Sequence, residues 1–177
     1  YYMYKKDVAE LLCTVSAVAA TILLFAGCSG NENVYNNWGV YKGDAESNSY
    51  SALQQINTTN VSKLSVAWVF EPGDAPEGGR PSSSESNPII INDVMYTTSA
   101  RGRVYAVDAA TGKLRWSFDP FDGGRGGGVK RGVTYWEKGN DKRILFTGGD
   151  RLFALNALTG EVIPGFGKDG KVNLNIG

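Results

Sequence analysis

Histidine is absent from all 177 residues. That removes a Ser-His-Asp triad, a Cys-His nucleophile pair and every imidazole metal ligand from the chemistry the chain can supply. Cysteine is scarce: there are two, Cys13 and Cys28, both within the first thirty residues. The rest of the chain can form neither a disulfide nor a cysteine-rich zinc site. An excess of charge is also missing, because eighteen Lys and Arg balance eighteen Asp and Glu. Nucleic-acid binding normally needs a basic face, so nucleic acid is not an expected partner.

What the chain has in quantity is glycine, at 23 residues, and tyrosine, at nine, a balance that suits an all-β protein with many turns. The most informative stretch is Val104 to Trp116, VYAVDAATGKLRW. Val104 to Val107 is rich in β-branched and aromatic residues. Asp108 can fold its side chain onto the following amides, and Gly112 can take a positive φ at no steric cost. Leu114, Trp116 and Phe118 then alternate with Arg115 and Ser117, as in a strand with one buried face. The spacing predicts a hairpin whose returning strand carries an indole. The unit recurs forty-eight residues on, as FALNALTG from Phe153 to Gly160: Ala106 matches Ala154, Asp108 matches Asn156, and Thr111-Gly112 match Thr159-Gly160. A repeat at this distance suits one β-sheet blade per unit. The competing reading is two unrelated hairpins that share common turn residues.

Lys5 and Lys6 precede an uncharged run from Leu11 to Gly30, with an apolar core from Val15 to Phe25. A basic start, an apolar middle and small residues before a cut are the layout of a secretory signal. Phe25-Ala26-Gly27-Cys28 resembles the bacterial lipoprotein signal, whose cleavage leaves a cysteine to carry lipid; Phe25 departs from the leucine usual there. Three readings stand: a lipoprotein signal lipidated at Cys28, an uncleaved transmembrane anchor of barely sufficient length, and an ordinary cleaved signal. Each places the remainder outside the cytoplasm. Residues 1–28 are therefore expected to be a signal peptide, 29–37 a polar tether, and 38–177 the folded part.

After a Gly-, Pro- and Ser-rich loop from Glu71 to Ser84, four short strands are predicted: Pro88–Ile91, Val94–Ser99, Arg103–Val107 and Lys113–Phe118. Turns at Asn92-Asp93, Arg101-Gly102 and Asp108–Gly112 join them, which makes one β-propeller blade. A glycine-rich loop from Asp119 to Val129 leads to a second blade: Gly132–Trp136, Arg143–Thr147, Arg151–Leu155 and a weak run near Val162. Ala106 and Gly112 let neighbouring blades approach, leaving a gap in which the Trp116 indole can dock. Pro164 stands where the second blade would carry that indole, so this blade must dock differently. Upstream, Thr59-Asn60 can cap a short turn or helix leading to Leu64, and Val66–Phe70 is expected to be a strand of a third, incomplete blade. Closed propellers use four to eight blades, so the chain is expected to be the amino-terminal part of a longer protein.

Taken in order from Trp38 to the last residue, these pieces resemble the pyrroloquinoline quinone (PQQ) dependent alcohol and sugar dehydrogenases. The resemblance is carried by Trp38, Tyr41, Gly43 and Asp44, then Tyr50-Ser51, Leu53, Gln55-Ile56, Asn60-Val61, Leu64 and Ala67-Trp68. Glu85-Ser86-Asn87-Pro88, the two AxDxxTG-like units, the RGVTYW segment from Arg131 to Trp136, and Pro164-Gly165-Phe166-Gly167 complete it. It implies an eight-bladed propeller with PQQ on its axis beside a calcium ion. Glu85 matches the position where the family places a carboxylate beside the quinone, and Arg131 matches the family's quinone-contacting arginine. PQQ carries three carboxylates, and a guanidinium offers such a group a fixed two-pronged donor. By chemistry alone, Glu85 reads as a solvated loop glutamate and Arg131 as a loop arginine beside Lys130. Thr147 lies near a further family contact, but the segment from Phe146 to Leu152 is one residue shorter than the family form, and no role is assigned to it. Gly126-Gly127-Gly128-Val129 stands where many alcohol-oxidising members carry two adjacent cysteines, which leaves a sugar or polyol substrate open.

The resemblance further implies oxidation of the hydroxyl group of a sugar, polyol or alcohol in the periplasm. Electrons would pass to a respiratory quinone or cytochrome, and a lipid anchor would hold the protein at the membrane. No counterpart of the family's catalytic base or calcium ligands is found in this sequence. They are expected downstream, and this piece alone is expected to be inactive. One rival is a cofactor-free propeller lipoprotein acting as a scaffold in outer-membrane assembly; another is a sugar-binding propeller without redox chemistry. Glu85, Arg131 and the long lead-in from Trp38 to Trp68 separate the enzyme from the scaffold, which has no use for them.

Overall fold

The computed structural model describes residues 37–74, 84–124, 126 and 130–175. The expected signal segment with Cys28, and all of the expected tether but residue 37, lie outside them. The described residues fall within one unit, Tyr35–Gly177. Among them no helix is long and apolar enough to cross a membrane.

Turn chemistry sets the first blade. Strand β1 (Ile89–Ile91) reverses at Asn92-Asp93 into β2 (Val94–Thr98). Both turn residues have positive φ, 46° and 63°, the conformation that matches the twist of a two-residue hairpin and that Asn and Asp tolerate. Gly102, at φ 84°, turns the chain into β3 (Val104–Asp108), and β4 (Leu114–Phe118) follows the Asp108–Gly112 turn. The second blade is β5 (Thr134–Lys138), β6 (Asp141–Gly148), β7 (Arg151–Asn156) and β8 (Lys171–Asn173). Each sheet has four antiparallel strands in chain order, so the architecture is all-β with two propeller blades, as the repeat predicts. Their facing sides share one core. Ile89, Tyr96, Val104 and Ala106 meet Ile144, Phe146, Phe153 and Leu155, and Phe118 turns its ring edge-on to Phe146 and Phe153 at 6.0 and 5.8 Å.

The repeated turn is built twice with different chemistry. In the first blade Asp108 Oδ1 accepts from the Thr111 amide at 3.0 Å and the Thr111 hydroxyl at 2.8 Å, while Oδ2 pairs with Arg115 at 2.7 Å. In the second, Asn156 Oδ1 accepts from the Leu158 and Thr159 amides at 2.8 and 3.2 Å. The Arg115 guanidinium, followed by the Thr111 hydroxyl, pulls the Asp108 carboxyl from 3.8 down to about 2. A carboxyl depressed in the folded state steadies the fold above its unfolded pKa, and that contribution is lost as pH falls from about 4 toward 2. Asp108→Asn is expected to keep the turn, as Asn156 does in its twin, and to flatten this acid limb. Thermal midpoints measured from about pH 5 to about pH 2 would show it; a limb of unchanged steepness would count against the assignment.

The seam between blades rests on an indole over a glycine. Trp116 donates its ring N–H to the Ala157 carbonyl at 3.0 Å and lies over Gly160, where an added Cβ would come within 2.6 Å of the ring. Trp68 repeats the arrangement. It donates to the Ala109 carbonyl at 3.2 Å and covers Gly112, where a Cβ would meet its ring at 2.7 Å. Each indole therefore docks on the turn of the following repeat, not on its own. Trp68, Trp116 and Pro164 follow one another at the forty-eight-residue spacing, so the spacing that reveals the repeat also marks Trp68 as a docking residue.

Two expected strands differ. Val66–Phe70 forms no strand, because none of the described residues pairs with it. It instead lies against β3, with Phe70 edge-on to Tyr105 at 5.2 Å and the Tyr105 hydroxyl donating to the Pro72 carbonyl at 3.1 Å. The fourth strand of the second blade is not the run near Val162, which makes a single bridge to Leu155. Pro164 has no amide to continue a ladder. The chain turns away there and returns as β8, which pairs with Arg151–Phe153. Upstream, the short helix expected before Leu64 is a 3-10 turn, Val61–Lys63, with Asn60 at its N-cap position but without a side-chain capping bond. The Asn60 side chain instead accepts from the Asn57 amide at 2.8 Å and donates to the Gln55 carbonyl at 2.7 Å, while Asn57 accepts from the Thr59 amide and hydroxyl.

Candidate functional site

The segments that lead into β1 and β5 run side by side. Asn87 forms a parallel bridge with Gly132, and its amide donates to the Arg131 carbonyl at 3.2 Å. Glycine is required at 132: φ is 118°, and a Cβ would stand 2.7 Å from the Asn87 carbonyl oxygen. On the other strand entry, Ser84 Oγ donates to the Thr98 carbonyl at 3.2 Å, and Ser86 Oγ accepts from the Thr98 amide at 3.1 Å. With residues 84 and 86 fastened to β2, Glu85 between them faces the second blade.

There it meets Arg131, whose Nη1 lies 3.2 Å from Glu85 Oε2. The two residues singled out in the sequence are thus brought into contact across the seam, forty-six positions apart. The Arg131 side chain is 79% exposed and that of Glu85 48%. A pair so open contributes at most about 1 kcal/mol to stability, and most of the guanidinium still faces solvent. Lys130, beside it, places its ammonium 5.4 Å from the centre of the Phe121 ring, and burial lowers its pKa. The arrangement is an accessible cation and an adjacent carboxylate, held by backbone at the junction of two sheets. It can bind one anionic edge of a ligand and set the charge beside it.

Thr147 is exposed near the end of β6. Thr134 pairs with Leu145, so Thr147 lies at the end of the sheet where Arg131 enters. Of the Gly126–Val129 run only Gly126 is among the described residues; a side chain there would strike the Arg101 carbonyl and the Phe121 ring. No group of three or more Cys, His, Asp or Glu that could hold a metal occurs among the described residues. The fastening roles of Ser84, Ser86 and Asn87 escape a reading by sequence. Ser86 and Asn87 enter there only as part of the family-like Glu85-Ser86-Asn87-Pro88 run, and Ser84 reads as plain loop.

A family model described as "PQQ: Glucose/ethanol/alcohol dehydrogenase, beta-propeller domain" matches residues 38–177. The dehydrogenase subunit of alcohol dehydrogenase (quinone) from Gluconobacter oxydans is 40% identical over 141 residues, covering 76% of this chain and 17% of that protein. Quinoprotein glucose dehydrogenase of Escherichia coli is 34% identical over 155 residues, covering 78% and 20%. Among solved structures, the quinohemoprotein alcohol dehydrogenase ADHIIG from Pseudomonas putida HK5 matches with a TM-score of 0.64 and 27% identity, over 82% of this chain and 20% of that one. The chain therefore spans about a fifth of the length of these relatives. Its blades, its repeat and the acid–guanidinium pair all fall inside the matched residues, and the chain belongs to the PQQ-dependent glucose/ethanol/alcohol dehydrogenase β-propeller family.

Proposed function

We propose that this chain supplies two blades and part of the cofactor site of a PQQ-dependent oxidoreductase that oxidises the hydroxyl group of an alcohol, polyol or sugar. The observation that carries the reading is the Glu85–Arg131 contact at the junction of the two strand entries. The donor set fits one edge of a tricarboxylate. Arg131 would hold a carboxylate group of PQQ by two-pronged donation, Glu85 would stand beside the ring system, and the Asn87–Gly132 tie would keep the two in register. When bound, PQQ supplies the two-electron quinone on which oxidation of the substrate depends. The catalytic base and the ligands of a calcium ion belong, in this reading, to parts of the protein beyond these blades. So does the site that hands electrons to a respiratory quinone or cytochrome. The amino-terminal segment would deliver the protein to the periplasm and tether it through lipid on Cys28. The family match and the dehydrogenase relatives support this reading over a cofactor-free scaffold.

Full-length protein loaded with PQQ and calcium is expected to reduce an artificial electron acceptor when given ethanol, glycerol or glucose. Fractionation of the producing cells should find it with the membranes. A preparation that neither retains PQQ nor reduces the acceptor with any of these substrates would overturn the assignment.

A further inference from the structure

At the outer edge of the second blade, Lys168 and Lys171 face each other across a two-residue turn. The Lys168 amide donates to the Lys171 carbonyl at 2.9 Å and the Lys171 amide to the Lys168 carbonyl at 3.3 Å. The turn residues Asp169 and Gly170 have φ of 53° and 77°. Residues directly opposed in this way project to one face, and like charges placed so repel each other. Strand periodicity puts Asn173 on that face with Lys171, and Asn173 pairs across to Arg151 on β7. These four residues and Asp169 line a groove of about 320 Å³.

The local charge is poorly compensated. Among the described residues neither lysine has an ion-pair partner, and Arg151 stands 3.7 Å from Asp150, beyond hydrogen-bond reach. Asp150 turns Oδ1 toward Arg151 while its Oδ2 accepts from the Asn175 side chain at 3.0 Å and its carbonyl from the Leu174 amide at 2.7 Å. Asp169 is the one carboxylate in the lining. The oxygen of the Asn173 side chain accepts from the Asn175 amide at 2.9 Å, which leaves its NH₂ group to donate. The groove thus gathers three cations and an amide donor against Asp169 in its lining and Asp150 beside Arg151, an excess of one positive charge. It lies three strand spacings from β5, on the order of 14 Å, and is distinct from the Glu85–Arg131 pair.

We propose that Arg151, Lys168, Lys171 and Asn173 form a binding site for a phosphate group, free or carried on a lipid head group. Charge-assisted donors converging from two strands are the arrangement a tetrahedral oxyanion requires. The test uses the whole chain and inorganic phosphate at low ionic strength, followed by amide chemical shifts. Shifts centred on residues 151 and 168–173 are expected. The double variant Lys168→Ala/Lys171→Ala should bind about tenfold more weakly, while Lys168→Arg/Lys171→Arg retains binding and Lys113→Ala, on the other blade, changes nothing. Vesicles of phosphatidylglycerol and of phosphatidylcholine separate the sources. Retention on the anionic vesicles that falls in the alanine double variant marks a lipid head group, and phosphate shifts without such retention mark a free ligand. If phosphate moves no signal in the groove and vesicle retention is the same in the double variant, or if that variant binds phosphate as well as the parent, the site does not exist.

Discussion

Replacing Trp116 with alanine is expected to lower the free energy of unfolding by about 3 kcal/mol, the lower end of the range for large aromatic residues because the ring is only partly buried. The change removes the ring from the shared core, takes away a neighbour of Tyr96 at 5.9 Å, and leaves the Ala157 carbonyl with the Tyr96 hydroxyl, at 3.1 Å, as its remaining donor. The complementary change is Gly160→Ala. It costs about 1–2 kcal/mol for a side chain in left-handed backbone at φ 75°, and more because the new methyl group drives into the indole. In the Trp116→Ala background that collision disappears and only the backbone term remains. Denaturant unfolding of the parent, both single variants and the double variant, read by far-ultraviolet circular dichroism, would reveal this coupling. Simple additivity of the two costs would show that the ring and the glycine do not form one docking unit.

Removal of the guanidinium at 131 is the second large effect. In full-length protein, Arg131→Ala should raise the PQQ concentration needed for half-maximal activity by roughly ten- to a hundredfold, the loss expected for hydrogen bonds to a charged group. Stability should change by no more than about 1 kcal/mol, because the ion pair it breaks is open to water. Arg131→Lys should fall between, since an ammonium keeps the charge but cannot grip a carboxylate at two points. The contrast between a large change in cofactor demand and a flat unfolding curve distinguishes a binding residue from a structural one. A PQQ requirement unchanged in the alanine variant would remove Arg131 from the site.

The first blade is legible in the sequence because its turns use residues that turns specifically need. Asn92-Asp93, Gly102 and the Asp108–Gly112 unit each mark a reversal, and the strands between them fill with β-branched and aromatic residues. In the second blade β8 is not legible. Lys171-Val172-Asn173 offers one apolar residue, and what makes it a strand is pairing with Arg151–Phe153, a partner remote from its own sequence. Val66–Phe70 fails in the opposite sense. Val66, Trp68 and Phe70 alternate as in a strand, yet Val66 remains 80% exposed, because periodicity proposes a strand and only a neighbour can make one. For the site, local chemistry offers no reason to join position 85 to position 131. Family resemblance selects both residues, and the parallel run of the two strand entries explains why they meet.

That parallel run has a thermodynamic corollary. Glu85 hangs from one sheet and Arg131 from the other, so a guest touching both acts as a clasp. The sheets cannot part without first releasing it. Stability would then climb with guest concentration, gaining about 2.7 kcal/mol at a hundredfold excess over the dissociation constant, and the melting temperature would rise with it. Loading the site and closing the joint would be two faces of a single equilibrium, and slackness in the joint would register as weak affinity even with every contacting side chain intact.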